Sequence, residues 1–296
     1  MVKRRETARI FFQSERNQDI LRQSQIRKLA GDAASLFFTY LANSELGAAN
    51  TEGNKINFLV SNFGDYKLSC LVTVCIYDRF SDMRFDKGIK KKYRRSIEDA
   101  FATILDKGNF FHREMIEAII DSQMLVCVFP VSRVNASGIT DVINTRATND
   151  KIESEILSLG EALGEVFITI AEETIDTGGQ RGCEGTFVHE GRHAFDFAQT
   201  IASFSDSAVN PLSLYDPTLY ELEWQAHKTA GDYLLQIDRD EYLQEGLDLM
   251  ILSRGADGRC FVDDQGIKRR LRESYGLEES GNLGNSVSEM FGLRQR

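Results

Sequence analysis

The chain has 296 residues, 42% of them hydrophobic and 27% charged, with only three prolines. That composition suits one large or two ordinary folded domains and excludes a disordered chain. A formal charge of −10 argues against a general nucleic-acid binder or a protein that tracks anionic membranes, since phosphate binding needs a net basic face.

Residues 15 to 46 carry apolar side chains at helical spacing and predict one or two amphipathic helices, broken by the Asn-, Gly- and Ala-rich stretch 43 to 54. Two strand-like runs follow, KINFLV (55 to 60) and KLSCLVTVCIY (67 to 77). A basic helix is expected from Lys87 to Lys107. Its KGIKKKYRR start reads as a solvated face, with docking of an acidic partner as the alternative. A second helix is expected from His112 to Ser122. MLVCVFPV (124 to 131) predicts a strand closed by Pro130 and the polar stretch after it. A helix over 151 to 163 leads to EVFITIAEE (165 to 173), whose alternation predicts another strand. A loop through Asp176, Gly178, Gly179 and Gly182 then precedes helical sequence from Glu184 to Phe204. Residues 210 to 218 read as a loop, 217 to 237 and 239 to 252 as helices, Asp257-Gly258 as a turn and 267 to 275 as a basic helix before a Gly/Ser/Asn-rich end. The class is α+β: an N-terminal α/β region over 1–120 and a second domain over 121–296, with the boundary somewhere between 110 and 145.

No apolar run approaches the ~18 residues of a membrane span, and the one near the N-terminus is too short for a signal-peptide core. The five cysteines (Cys70, Cys75, Cys127, Cys183 and Cys260) are scattered and form no CxxC pair, which suits free thiols in a reducing compartment. The expectation is a cytoplasmic protein, or one exported without a cleavable signal peptide.

Two of the four histidines stand four positions apart in His189-Glu190-Gly191-Arg192-His193. Composition alone produces that pattern in on the order of a few per thousand sequences of this kind. A helix turns about 100° per residue, so His189 and His193 project within roughly 40° of each other and can reach one ion. Glu190 lies about 100° round, placed to touch a water on that ion rather than the ion itself. Phe187, Ala194, Phe195, Ala198, Ile201 and Ala202 give the segment an apolar face, so the helix is packed inside a domain.

A catalytic zinc takes three protein ligands and keeps one position open. LYELEWQAHKTAGDYL (219 to 234) offers Glu221 and Glu223. Ala226, His227, Ala230 and Leu234 fall within roughly 60° of Glu223, whereas Glu221 lies about 160° away. The small apolar face of Glu223 permits close helix approach, so Glu223 is the expected third ligand and Glu221 a solvated carboxylate.

HEGRH followed thirty residues later by Glu223 in a Glu-Trp-Gln-Ala226 setting resembles the gluzincin branch of the zincin metallopeptidases. The resemblance covers about residues 160 to 237. It implies a small sheet whose edge strand lines a cleft with the HExxH helix, and a glutamate helix that completes a Zn2+ site. Where the best-known gluzincins carry an aspartate four residues after the ligand glutamate, this chain has His227. The metzincin extension is absent, and Asp196 stands in the position of its glycine.

The expected function is a zinc metallopeptidase acting on a peptide or protein substrate, with no nucleic-acid or membrane partner. Zinc on His189, His193 and Glu223 acidifies its water and polarises the scissile carbonyl, while Glu190 moves the proton. His227, Tyr233, Tyr220 and Tyr215 are candidates to steady the oxyanion; His227 could instead orient a ligand or ligate the ion. Asp196, on the histidine face, either orients His193 or Arg192 or forms a surface salt bridge. Gly191 is expected where a neighbouring backbone or substrate comes close. The alternatives are a zinc hydrolase acting on something other than a peptide, and a binding or regulatory protein with a structural or inactive HExxH helix.

Overall fold

The computed structural model describes residue 80 and residues 83–296, which belong to one unit, Phe80–Arg296. The helices expected over 15 to 46, the strands over 55 to 60 and 67 to 77, and Cys70 and Cys75 lie outside the described residues. Residues 80 to 120, read from the sequence with the N-terminal region, pack in the same unit as the histidine motif.

Helix α1 (Lys91–Lys107) buries Tyr93, Ile97, Ala100, Phe101 and Ile104, one helical stripe. Helix α2 (Phe110–Asp121) starts with a capping box in which the Asn109 side chain accepts from the His112 N–H, and buries His112, Met115, Ile116, Ile119 and Ile120. Strand β1 (Leu125–Phe129) is followed by the short helix α3 (Val131–Val134) and strand β2 (Gly138–Val142). The segment expected as one helix over 151 to 163 is two, α4 (Thr145–Ser154) and α5 (Leu159–Leu163), the second opened by a Ser158/Glu161 capping box. Strand β3 (Val166–Ala171) pairs parallel with β1 and antiparallel with β2, giving the order β1-β3-β2.

Two features of this sheet differ from expectation. The strand ahead of the histidine motif, β3, is central; β1 and β2 flank it, and β2 lies in the polar stretch after Pro130 that carried no strand signal. The loop expected through residues 176 to 182 is two helical runs that meet at a kink, non-helical at Gly179. Helix α6 (Glu172–Ser205) starts directly after β3 and bends at Gly179, whose φ of 59° and ψ of −147° suit glycine almost alone. Its first turn is pinned from outside: Lys90 Nζ bonds Glu172, Lys92 Nζ bonds Asp176, and Tyr93 donates to both acids. Part of the basic KGIKKKYRR run therefore docks on the chain's own acids.

A 3-10 turn (Pro211–Ser213) leads to α7 (Leu219–Ile237), the main partner of α6. Glu221 faces solvent as expected, and also has a capping role: with Thr218 it forms the capping box of α7. Helix α8 (Asp240–Asp248) and a hairpin of β4 (Leu252–Arg254) and β5 (Cys260–Val262) around the Asp257-Gly258 turn follow. Helix α9 (Asp264–Arg270) runs into a π-turn (Leu271–Tyr275), and α10 (Val287–Phe291) closes the chain. The architecture is α+β with a small mixed sheet. Cys127, Cys183 and Cys260 are free, and no helix among the described residues is long and apolar enough to cross a membrane.

Candidate metal centre

Each packed helix brings two donors one turn apart: His189 and His193 on α6, Glu223 and His227 on α7. His189 Nε2 and His193 Nε2 are 3.1 Å apart. His189 Nε2 lies 3.4 Å from Glu223 Oε2, and His193 Nε2 lies 3.5 Å from Glu223 Oε1. His227 Nε2 is 3.9 Å from Glu223 Oε2. His189, Glu223 and His227 also offer ligand atoms within 4.8 Å of one another, so two triads share the His189–Glu223 edge. An ion with tetrahedral bonds of 2.0–2.1 Å spaces its donors about 3.3 Å apart; His189 and His193 come near that spacing from Glu223 through different oxygens, Oε2 and Oε1.

Hydrogen bonding within the protein leaves the centre incomplete. Glu223 Oε2, His227 Nε2 and His193 Nδ1 are buried without a hydrogen-bond partner among the described residues, a condition native proteins rarely tolerate. Burial works against charge on Glu223, but His189 and His193 outweigh it and hold the carboxylate far below its usual range. Burial likewise opposes protonation of His193; Glu223, backed by Glu190 and Asp196, outweighs it and raises that pKa. His227 is depressed to about 2, by burial first and then by His189. The carboxylate thus demands positive charge beside it, and the surrounding nitrogens are donors that a cation can use. The residues fit a metal ion.

Glu190 is buried, and its carboxylate points to the sheet rather than along the histidine face. Thr140 Oγ1, on β2, donates to Glu190 Oε2 at 2.7 Å and sits 3.0 Å from its carbonyl. The strand comes this close because Gly138 has no side chain: a Cβ there would sit 2.8 Å from Glu190 Cγ and 2.6 Å from Thr186 Cγ2. Ala171 N–H donates to Ser137 O and Ile143 N–H to Glu165 O, so Gly138 and Thr140 turn their backbone groups to the free edge. No strand among the described residues covers that edge.

The tyrosines expected near the site are elsewhere. Tyr233 donates to Glu184 Oε2 at 2.6 Å; it lies ten residues past Glu223, about 15 Å along the helix axis. Tyr215 donates to Asp196 Oδ1 at 2.7 Å, and Tyr220 has Glu279 and Lys268 as its charged neighbours. Asp196 also takes both prongs of Arg192, at 2.9 Å each, and is buried. It therefore orients Arg192, and the surface salt-bridge reading does not hold. The close neighbours of Gly191 are the Met115 and Ile119 side-chain ends of α2, neither backbone nor substrate.

The phenol the sequence reading missed is Tyr275, at the end of the π-turn. Its ring stands 5.9 Å from that of His227. Its pKa is pushed up to about 12, by burial and then by the Glu223 carboxylate, with Arg270 opposing and Glu190 adding. Thr140 was missed as well. No family model matches the chain, nor does any curated protein or solved structure.

Proposed function

We propose that the chain is a zinc-dependent peptidase of gluzincin type, with His189, His193 and Glu223 as metal ligands. The observation that carries the reading is the 3.1–3.5 Å separation of the His189 and His193 Nε2 atoms from each other and from the Glu223 carboxylate, whose Oε2 is buried without a hydrogen-bond partner. When bound, zinc supplies Lewis-acid polarisation of a carbonyl and lowers the pKa of a water it holds. The chain's own groups do the rest. An extended substrate adds to the free edge of β2 through the backbone groups of Gly138 and Thr140, beside Glu190. Glu190, held in place by Thr140, takes the proton of the attacking water and passes it to the leaving amine. Tyr275 donates to the oxygen that gains charge as the carbonyl becomes tetrahedral. Support for the peptide as substrate is this edge strand next to the base; the small open strand suits a main chain rather than a compact metabolite.

The test is zinc content together with cleavage of a peptide library by the wild type and Glu190→Gln. The wild type should hold about one zinc and cleave; the variant should keep its zinc and lose roughly 10²–10⁴-fold in kcat. Wild-type protein without zinc, or a fully active Glu190→Gln, would refute the reading.

A further inference from the structure

We propose that His227 is a fourth protein ligand of the same ion, so that the centre is a three-histidine, one-glutamate set. This rests on the metal-binding reading above and departs from the three-ligand pattern in which one position of a tetrahedral ion stays open. His227 follows Glu223 by one turn of α7 and shares its face. The side chain is 7% exposed, and its Nε2 is buried with no hydrogen-bond partner. It points to the Glu223 oxygen that also has none, Oε2, at 3.9 Å. That separation is too long for a hydrogen bond, so the pair is not explained as His227 steadying a ligand carboxylate. The same oxygen faces His189 Nε2 at 3.4 Å, and the His189 and His227 rings are 4.7 Å apart.

Two lone-pair donors, His227 Nε2 and Glu223 Oε2, both buried without a hydrogen-bond partner and 3.9 Å apart, define a cation position. Neighbouring donors around an ion with bonds near 2.1 Å stand about 3.0–3.4 Å apart, so His227 closes by roughly half an ångström to bind. His189 and Glu223 then form the shared edge, with His193 and His227 as the two remaining donors. With His227 bound, the protein would supply four donors, and a water would be held in addition to them rather than in place of one. Three imidazoles and one carboxylate also suit iron or manganese, so metal selectivity depends on His227.

The experiment is X-ray absorption on the zinc-loaded full chain, counting imidazole ligands from their outer-shell scattering, with zinc affinity measured by competition with a chelator. Three imidazoles are expected in the wild type and two in His227→Ala, with affinity at least about tenfold weaker in the variant. Two imidazoles in the wild type, or a count unchanged in His227→Ala, overturns the assignment and leaves the peptidase reading standing. Wild-type protein that takes up no zinc overturns both. Should His227→Ala fail to fold, the wild-type count still decides.

Discussion

Helices α6 and α7 each carry a carboxylate directed inward, the two held in opposite ways. Glu184, on α6, accepts hydrogen bonds on Oε2 from Tyr233 at 2.6 Å and Tyr242 at 3.0 Å. Glu223, on α7, faces His189, His193 and His227, and its Oε2 accepts none. Glu184 also leaves one oxygen bare, Oε1, but its neighbours are neutral hydroxyls already turned toward it. Around Glu223 the neighbours are three imidazoles, whose nitrogens can donate lone pairs, and the Tyr275 phenol. The two glutamates on this pair of helices thus differ in partner chemistry: hydroxyl donors surround the fully buried Glu184, and imidazoles surround the partly buried Glu223.

The sharpest way to break this contrast is to remove each carboxylate. Glu223→Ala should lower zinc affinity by roughly 10²-fold or more and abolish activity. Glu184→Ala should keep the metal and lose stability, because two buried phenols are left unpaired at about 1–3 kcal/mol each. Metal content and urea midpoints of the two variants decide it; zinc loss in Glu184→Ala would end the distinction. Glu221→Ala should also keep its zinc, since that side chain caps α7 in solvent.

The tyrosines carry the contrast one step down in size. Tyr275→Phe should reduce kcat roughly 10²-fold with zinc content unchanged, as expected for loss of one oxyanion donor. Tyr233→Phe should leave kcat within about twofold and cost stability instead, because Glu184 loses its shortest hydrogen bond. Equal effects of the two on kcat would remove Tyr275 from the proposed mechanism.

How much of this was legible follows the same division. The meeting of His189, His193 and Glu223 could be read because it depends only on the angular arithmetic of two helices, and the separation of Glu223 from Glu221 likewise. Strand β2 could not: GITDV contains a glycine and an aspartate, and as an edge strand it borrows its pairing from β3. The glycines at 178, 179 and 182 signal a loop, and the chain does leave helical geometry at Gly179; ahead of it, Lys90, Lys92 and Tyr93 bond Glu172 and Asp176 from a distant part of the chain. Tyr275 reaches His227 only through the docking of α9 and its π-turn, a tertiary fact with no local pattern. Tyr233 stands away from the centre because ten residues of helix carry it about 15 Å along the axis from Glu223.

His112 gives a pH effect that belongs to the structural side of the comparison. Its Nδ1 accepts from the Asn109 N–H, so Nε2 carries the proton and donates to the Thr229 carbonyl of α7 at 3.1 Å. Burial depresses its pKa to about 4, against an ordinary 6.5. The unfolded chain therefore takes up this proton first. The stability is complete above about pH 6.5 and is lost as pH falls toward 4, by about 3 kcal/mol for a difference of this size. Urea midpoints across that range should fall in the wild type with or without chelator, and the slope should flatten in His112→Gln. A slope that vanishes on chelation would assign it to the metal cluster instead.

The smallest expected effect tests the join between the sheet and the base. Thr140→Val keeps the shape of β2 but removes the hydroxyl that donates to Glu190 Oε2. Glu190 is not a ligand in the proposed centre, so zinc content should not change. The freed carboxylate should sample orientations turned from the water, and kcat should drop about tenfold, in line with the cost of small misplacements of a catalytic group. KM should stay near the wild-type value, because the substrate pairs with backbone groups the substitution leaves intact. A rise in KM at constant kcat would mean that Thr140 serves the substrate rather than the base, and that the β2 edge, not the orientation of Glu190, is its contribution.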